Sequence, residues 1–519
     1  MRNSLRKELS SLRKAMSQFD PVFFEIDRDA VRIKRDSVWI DVFDGDNEDW
    51  PRFLEGVDLP DADALEDWLR ECRDHQPCRS KAPGPQREPN SLVKSSSEAD
   101  ASMAETHQNN SAQTRPPALH SRGVPITVLP FEEGTVSVEL SRSLGGGISE
   151  AIRTSLSRFR SLIVVSPGTK GLSEAIEGLR PADIGHLFNV NYLVQGRVRT
   201  LADRFRVSIE LVDCSNERVV WADLFDGNIE HLFEFEEEMS AQIAGRVDPY
   251  VVWSEYQKVA RQRPESLAAY ECVLRSMPEI YRSDRTSFDD VGRLLLRAID
   301  IDPKYSDAYS WRAFWCMHSI GQGWQQDVAL GVAEAADRAQ EAIRLDPNNA
   351  LALAVAGHVE AFLHQRLQNA KRLLARSISI NPNSGLARAF NAVLFCYLGR
   401  PTDALAQMEI YERLCPFDPA SCYFRTIYVI AHTLLNEFEA AVQIGREVFR
   451  ENPNFVNGYK PLLVSLWHLG ERDEATYFAS RILAEEPDFT IAKFRRTYPL
   501  QDQRHVLLYE EAFRGTGIP

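Results

Sequence analysis

The residues best suited to contact a charged ligand lie at the start of the chain, where cationic and amide side chains accompany an apolar stripe. Leu5, Leu9, Leu12 and Met16 recur at spacings of four, three and four residues, which predicts an amphipathic helix over residues 1–18. Cationic side chains can contact phosphates or guanine edges, and an amide can read adenine. The candidate DNA contacts on this helix are Arg2, Asn3, Arg6, Lys7, Ser10, Arg13 and Lys14.

A second basic group follows in a predicted hairpin. The apolar segments PVFFEI and AVRIK flank a polar turn at residues 27–29. Arg32 and Lys34 on the second segment could reach backbone phosphates. A solvated basic face on an ordinary amphipathic helix explains the same composition, so both interpretations stay open at this point.

Other motifs that could carry chemistry are weak or missing in the sequence. Gly145, Gly146 and Gly147 precede a predicted helix and could present amides to an anion, but they lack the Lys-Ser/Thr of a P-loop, and a plain turn is the other interpretation. No GxSxG, HExxH or CxxC motif occurs, and the six-residue spacing of His358 and His364 does not place both on one helix face. We therefore expect no enzyme activity, no metal and no cofactor.

The chain is acidic overall, but its charge is unevenly distributed. A net charge of −15 over 519 residues excludes a polycation that coats nucleic acid. Residues 1–35 carry nine Lys and Arg against five Asp and Glu, whereas residues 36–79 carry four against fourteen. The N-terminus lacks the apolar core of a signal peptide, and no run of about 18 apolar residues occurs. These features favour a cytoplasmic protein with no membrane partner.

Composition and periodicity predict a multidomain chain of five segments. Residues 1–40 form the basic helix and hairpin, and residues 41–78 an acidic helical segment. Residues 79–122 are rich in Ser, Pro, Gln and Asn and contain no aromatic residue, which predicts a disordered linker. Residues 123–250 alternate strand and helix patterns, as an α/β domain does. Residues 251–519 are predicted to be all-α.

A proline returns about every 34 residues in the last part of the chain. The recurring prolines are Pro347, Pro382, Pro416, Pro453 and Pro487. Twelve residues before each of them stands an alanine: Ala335, Ala370, Ala404, Ala441 and Ala475. Gly399 and Gly470 lie seventeen residues before two of the prolines. Ala298 and Pro303 mark an earlier unit, with an insertion predicted near residues 321–327.

This pattern resembles the tetratricopeptide repeat, a pair of antiparallel helices. The alanine lets the two helices approach closely, the glycine relaxes the turn between them, and the proline stops the second helix. The resemblance implies an all-α tetratricopeptide solenoid over residues 251–519, with a capping tail after Pro487. It also implies a protein partner bound in the groove of the array. The aromatic residues of the repeats are expected to serve mostly in packing.

The middle of the chain resembles the TolB-N-like (FlgO-like) domain. The resemblance rests on NYLVQGRVR, on DRFRVSIELVDCSNERVVWADLFDG and on HLFEFEEEMSAQIAG, which cover nearly all of residues 123–250. In bacterial regulators such a domain lies between an N-terminal effector module and tetratricopeptide repeats. The resemblance implies a compact α/β domain at this position.

The N-terminus resembles part of an OmpR-type winged helix, as in CadC-like and HilA-like regulators. RNSLRKELSSLRKAM is similar to the recognition helix and PVFFEIDRDAVRIK to the wing. A complete module of this type needs about 90 residues, and a helix with one hairpin cannot close a core alone. Met1 stands almost at the recognition helix, so the resemblance implies a partial winged helix.

Three functions are compatible with these patterns. The leading prediction is a non-enzymatic cytoplasmic transcription regulator that contacts DNA through its N-terminal helix and wing and a protein through its repeats. The alternative is a protein-interaction scaffold with a vestigial DNA module. The third is a nucleotide-linked signalling protein, similar to adenylate cyclase-like proteins with these repeats but without the catalytic domain.

Overall fold

A computed structural model describes most of the C-terminal four-fifths of the chain and two short strands before it. The described residues are 24–26, 31–33, 122–134, 138–166, 176, 178–201, 204–260, 262, 267–416 and 418–519. Two compact units are present, Met1–Asn110 and Ser111–Pro519. In the first unit, strands β1 (Phe24–Ile26) and β2 (Val31–Ile33) pair antiparallel, with Phe24 opposite Ile33. This confirms the predicted hairpin, while the predicted helix over residues 1–18 lies outside the described residues.

The second unit begins with an α/β domain around a mixed sheet. Its strands lie in the order β5-β3-β6-β7-β8, and β4 pairs with β6. Strand β3 is parallel to β5 and β6, whereas β6, β7 and β8 form an antiparallel meander. The strands are β3 (Val124–Val128), β4 (Glu132–Gly134), β5 (Leu162–Val165), β6 (Tyr192–Leu201), β7 (Arg204–Asp213) and β8 (Arg218–Asn228). The predicted strand–helix alternation of this segment is therefore confirmed, and β4 is an element that the sequence did not indicate.

The described helices of this domain are α1 (Val138–Leu156), α2 (Pro181–Phe188) and α3 (Leu232–Val259). The glycine triplet at residues 145–147 lies within α1 and not before it, so neither the plain turn nor the anion-binding turn considered for it is present. Its amides belong to the interior of the helix, where they serve the helical ladder.

The domain boundary predicted at residue 250 falls within a helix. Helix α3 continues through Pro249 to Val259, so one continuous helix belongs to the sheet domain at its start and reaches the repeats at its end. Pro249 is tolerated because the apolar residues on both sides of it pack in the core and stabilise the helix: Val247 and Val251 are both fully buried.

The described part of residues 269–519 forms seven consecutive helix pairs. The first helices of the pairs are α4 (Ala269–Arg282), α6 (Ser306–Gly321), α8 (Ala350–Phe362), α10 (Gly385–Tyr397), α12 (Ser421–Leu434), α14 (Tyr459–Leu469) and α16 (Ile491–Thr497). The second helices are α5 (Arg285–Ile301), α7 (Val328–Leu345), α9 (Leu367–Ile380), α11 (Pro401–Leu414), α13 (Phe438–Glu451), α15 (Arg472–Glu485) and α17 (Gln503–Gly515). Each first helix from α6 to α14 also packs on the first helix of the preceding pair. This is the architecture of a tetratricopeptide-type solenoid.

The residues that defined the repeat have the predicted roles. The five recurring alanines and Ala298 are fully buried on the second helices. Gly399 and Gly470 adopt φ values of +73° and +97°, a left-handed conformation that favours glycine at the turn between paired helices. The last pair, α16 and α17, is the predicted tail, and α17 packs on α14.

Candidate functional site

The structure places the predicted DNA-contacting residues only in part. Arg32 lies on β2, where its backbone is opposite Glu25. The other candidates, Arg2, Asn3, Arg6, Lys7, Ser10, Arg13, Lys14 and Lys34, lie outside the described residues. DNA contact by this segment therefore stays a prediction.

The predicted groove of the array is closed by contacts between distant repeats. Gln322, at the predicted insertion, is 1% exposed and donates a 2.9 Å hydrogen bond to the Asn454 carbonyl. Its amide oxygen accepts a 3.0 Å bond from the Asn457 backbone. Asn452 donates a 2.9 Å bond to the Tyr281 carbonyl, 171 residues away. The array thus winds until its early and late repeats touch.

Aromatic side chains fill the interior that this winding creates. Tyr281 stands 5.3 Å from Tyr423 and 5.7 Å from Phe314, centroid to centroid. His358 stacks on Phe390 at 4.3 Å, and burial lowers the pKa of this imidazole to about 3. The histidine is therefore a neutral packing residue, as the sequence suggested, and the inner face is not an open peptide groove.

The sheet domain closes the remaining side of the solenoid. Arg122 forms a bidentate ion pair with Asp302, at 2.8 and 3.0 Å, and Arg160 pairs with Asp346 at 3.1 Å. Gly245 of α3 packs against the end of α11, where a Cβ would lie 2.6 Å from the Leu414 carbonyl oxygen. A glycine is required at this point of close approach. The predicted linker segment 79–122 thus ends in a residue that is anchored to the repeats.

A cavity of about 480 Å³ remains between the sheet domain and the repeats. Its walls come from residues 158–161 and 245–253 of the sheet domain and from the first helices of five repeats. Aromatic and apolar side chains dominate, among them Tyr281, Trp311 and Tyr423. The volume falls within the range of about 300–1,000 Å³ that is usual for pockets of small ligands.

Four carboxylates line this cavity; Glu451 pairs with Arg425, and the other three form no ion pair among the described residues. Asp248 accepts a hydrogen bond from the Ser161 hydroxyl. Asp307, which is 6% exposed, accepts a bond from the Asn349 side chain at 2.5 Å. Asp418 accepts a bond from the Tyr411 hydroxyl at 3.0 Å and one from the Ala420 amide at 2.8 Å. These partners are all neutral.

Burial controls the protonation of these acids. It raises the pKa of Asp248 to about 7 and that of Asp307 to about 6, and it also raises the pKa of Asp418. The charges of Asp418 and Asp307 add to the effect on Asp248. Each is therefore easier to ionise when a positive charge is nearby.

The hydroxyl of Tyr270 belongs to the same polar region. Tyr270 lines the cavity and is 2% exposed, and its hydroxyl has no hydrogen-bond partner. Burial is the largest cause of its raised pKa, and the charges of Glu255, Asp248 and Asp307 add to it in that order. A buried hydroxyl without a partner costs free energy that a bound ligand could recover.

The arrangement is suited to binding. The Cys415 thiol lines the cavity, but burial raises its pKa well above the usual range, so it is protonated at neutral pH. In the described residues, no group of three or more His, Cys, Asp and Glu side chains is placed to hold a metal ion. Nor does any described helix combine the length and apolar character that crossing a membrane requires.

Sequence reasoning missed this cavity. The carboxylates are separated by 59 and 111 residues, from 248 to 307 and from 307 to 418, and only the winding of the array brings them to one space. The available signal was weak. Asp307 lies in the first turn of α6 and Asn349 is the N-cap of α8, and side chains at these positions point toward the inner face.

The chain shows similarity to several known proteins. No protein-family model matches it. It is 26% identical over 239 residues to a protein of Rhizobium meliloti (strain 1021) named putative adenylate cyclase 3, and the match covers 46% of this chain and 40% of that protein. The chain thus spans less than half the length of this relative.

Two solved tetratricopeptide proteins also align with the chain. One, from Parabacteroides merdae, has 13% identity and a TM-score of 0.27, and the alignment covers 51% of this chain and 99% of that one. The other is YrrB, described as a protein of this type with an unusual peptide-binding site, with 16% identity, a TM-score of 0.24 and coverage of 39% and 97%. The assignment of residues 269–519 to this fold rests on their own paired helices.

Proposed function

We propose that this chain is a non-enzymatic scaffold whose helical repeats bind a protein partner. The observation that supports it is the continuous array of paired helices over residues 269–519, since solenoids of this kind offer an extended surface for recognition. The inner face is occupied by aromatic side chains and by the sheet domain, so the partner is expected at the outer surface or at the edges of the array.

The outer surface offers a first place to look. Val328 and Leu330, in the first turn of α7, are 46% and 65% exposed. We propose that this apolar pair contributes to partner binding, because apolar side chains exposed together often mark interfaces.

The test uses the full chain. A partner captured from the organism of origin is purified and titrated into the wild type, V328S/L330S and the control L507S. The control changes a leucine of α17 that is 52% exposed. We expect a defined stoichiometry, cross-links within residues 269–519, and binding weakened about tenfold or more only in V328S/L330S. Equal binding of all three would reject this surface, and cross-links confined to other residues would reject the scaffold proposal.

A second candidate, a nucleotide-linked signalling protein without its catalytic domain, is supported by the name of the Rhizobium relative. Calorimetric titration of the full chain with ATP and cyclic AMP tests it, and absence of heat at millimolar ligand would reject it. DNA contact by the N-terminal segment is tested by duplex binding at rising salt, because phosphate contacts weaken steeply with salt. Absence of binding at low salt would exclude it for this chain.

A further inference from the structure

The carboxylates of the cavity differ from the other buried acids in the described residues. Five carboxylate side chains are classed as buried there: Asp213, Glu255, Asp307, Glu486 and Glu510. Four of them form ion pairs with a lysine or an arginine of the chain. Asp307 alone among these five has no such pair.

The two neighbouring acids repeat this pattern. Asp248 and Asp418 are partly buried, and no ion pair links either of them to a cation among the described residues. Arg160 lies close enough to affect the pKa of Asp307, but its guanidinium pairs with Asp346. Arg158, Arg160 and Arg282 also line the cavity, but none of them forms an ion pair with these three acids. The acids therefore lack the paired cation that buried charges in proteins normally have.

The unpartnered hydroxyl of Tyr270 is an independent sign of a missing ligand. It is buried in the cavity wall near Asp248 and Asp307, where it can donate to or accept from a bound group. Another buried tyrosine, Tyr192, has its hydroxyl bonded to Ser254 and Glu255. The polar end of the cavity is therefore incomplete in two ways, in charge and in hydrogen bonding.

The shape and walls of the cavity define the kind of cation. The described acids do not converge as a metal site. The cavity holds about 480 Å³ and is lined by Tyr281, Trp311 and Met277, which suit an aliphatic stem and offer aromatic faces to a cation. An ammonium or a guanidinium on a short alkyl chain satisfies both the carboxylates and these walls.

We infer that the cavity binds an organic cation, an ammonium or guanidinium group on an aliphatic stem, through Asp248, Asp307, Asp418 and the Tyr270 hydroxyl. Two sources have this chemistry: a free diamine or polyamine, and a lysine or arginine side chain of another protein. The inference does not depend on the scaffold proposal, because it concerns the cavity and not the outer surface of the array.

The test is calorimetric titration of the full chain with three probes. These are 1,5-diaminopentane, Nα-acetyl-lysine methylamide, and the neutral N,N′-diacetyl derivative of the diamine. We expect at least one cationic probe to bind, and the neutral derivative, which keeps the stem and loses the charge, to bind about tenfold or more weakly. Tighter binding of the diamine identifies a free amine as the source, and tighter binding of the lysine derivative identifies a protein side chain.

Three variants test whether the probes bind at these acids. D248N and D418N keep the size and hydrogen bonding of the side chains, and each is expected to weaken binding of the cationic probe about tenfold. The control D300N changes an exposed aspartate on α5 and should leave binding unchanged. Circular dichroism verifies that each variant is folded. Any of three results would overturn the inference: no binding of either cationic probe, equal binding of the neutral derivative, or equal binding of the cationic probe by the wild type, D248N and D418N. The comparison of probes needs no variant.

Discussion

Helix α3 carries two buried polar groups that differ in one respect, the presence of a cation. Near its end, Lys258 bonds Glu255 at 2.7 Å and Asp213 at 2.9 Å, and the Tyr192 hydroxyl lies 2.7 Å from Glu255. We call these four residues the paired cluster. About two turns earlier, Asp248 belongs to the cavity acids Asp248, Asp307 and Asp418, which have only neutral partners.

The comparison distinguishes a structural group from a binding group. Burial tends to lower the pKa of Lys258, but Glu255 and Asp213 outweigh it and raise the pKa. The paired cluster is therefore complete without a ligand and fixes α3 to strands β6 and β7. The pKa of each cavity acid is raised, and a bound external cation would favour the ionised form.

The largest expected effect comes from removing the cation of the paired cluster. Lys258→Met leaves Glu255 and Asp213 buried without a cation; because the Lys258 side chain is 36% exposed, it should lower the free energy of unfolding by at most about 3–5 kcal/mol. Denaturant unfolding measures this. Arg344→Met, which breaks the exposed pair with Glu341, is the control, and it should change the stability little. Equal losses for the two variants would show that the paired cluster is not a structural unit.

The two tyrosines give a matched pair with the next largest effect. Tyr192→Phe removes a hydroxyl that bonds Glu255 and accepts from Lys258, so it should cost about 1–3 kcal/mol. Tyr270→Phe removes a hydroxyl without a partner and should cost close to nothing. Thermal unfolding without ligand compares them. A Tyr270→Phe variant as unstable as Tyr192→Phe would mean that the Tyr270 hydroxyl is already satisfied.

The smallest effect, and the most specific, is in the pH dependence of stability. Because the pKa of Asp248 rises from 3.8 to about 7 on folding, the folded protein binds this proton more tightly. The protonation of Asp248 therefore favours the folded state at low pH, and this stabilisation is lost as the pH rises toward 7. Asp248→Asn should raise the melting temperature by a few degrees at pH 8 and change it little at pH 4.

The groups that face Asp248 also enter this prediction. Ser161 bonds it, and the charges of Asp418 and Asp307 reach it from the repeats. The exposed Asp300→Asn is the control and should not alter the pH profile. A stabilisation by Asp248→Asn that is equal at pH 4 and pH 8 would contradict the raised pKa.

The sequence predicted the local elements of this molecule well, and the physical reason is periodicity. The alanines and prolines at residues 335–487 carry packing and termination signals inside each repeat, so the phase of the helices could be read directly. The hairpin of β6 and β7 was equally visible from its alternation.

The errors share a cause, since each concerns a contact that is distant in sequence. Glycines 145–147 have low helix propensity, but tertiary packing places them inside α1. Gln322 was read as part of an insertion. It is buried and hydrogen-bonded to Asn454 and Asn457, which lie 132 and 135 positions later in the sequence. No local pattern predicts these contacts, and the cavity depends on them.

The most direct test of the account is to count the protons released when a cation enters the cavity. Titration with an alkylguanidinium at pH 6.5, in buffers of different ionisation enthalpy, measures this number, and the ligand keeps its own charge throughout. With pKa values of about 7 for Asp248 and about 6 for Asp307, binding should release about one proton per ligand, and this release should fall in Asp248→Asn. Binding without proton release would contradict the central claim that these acids await a positive charge.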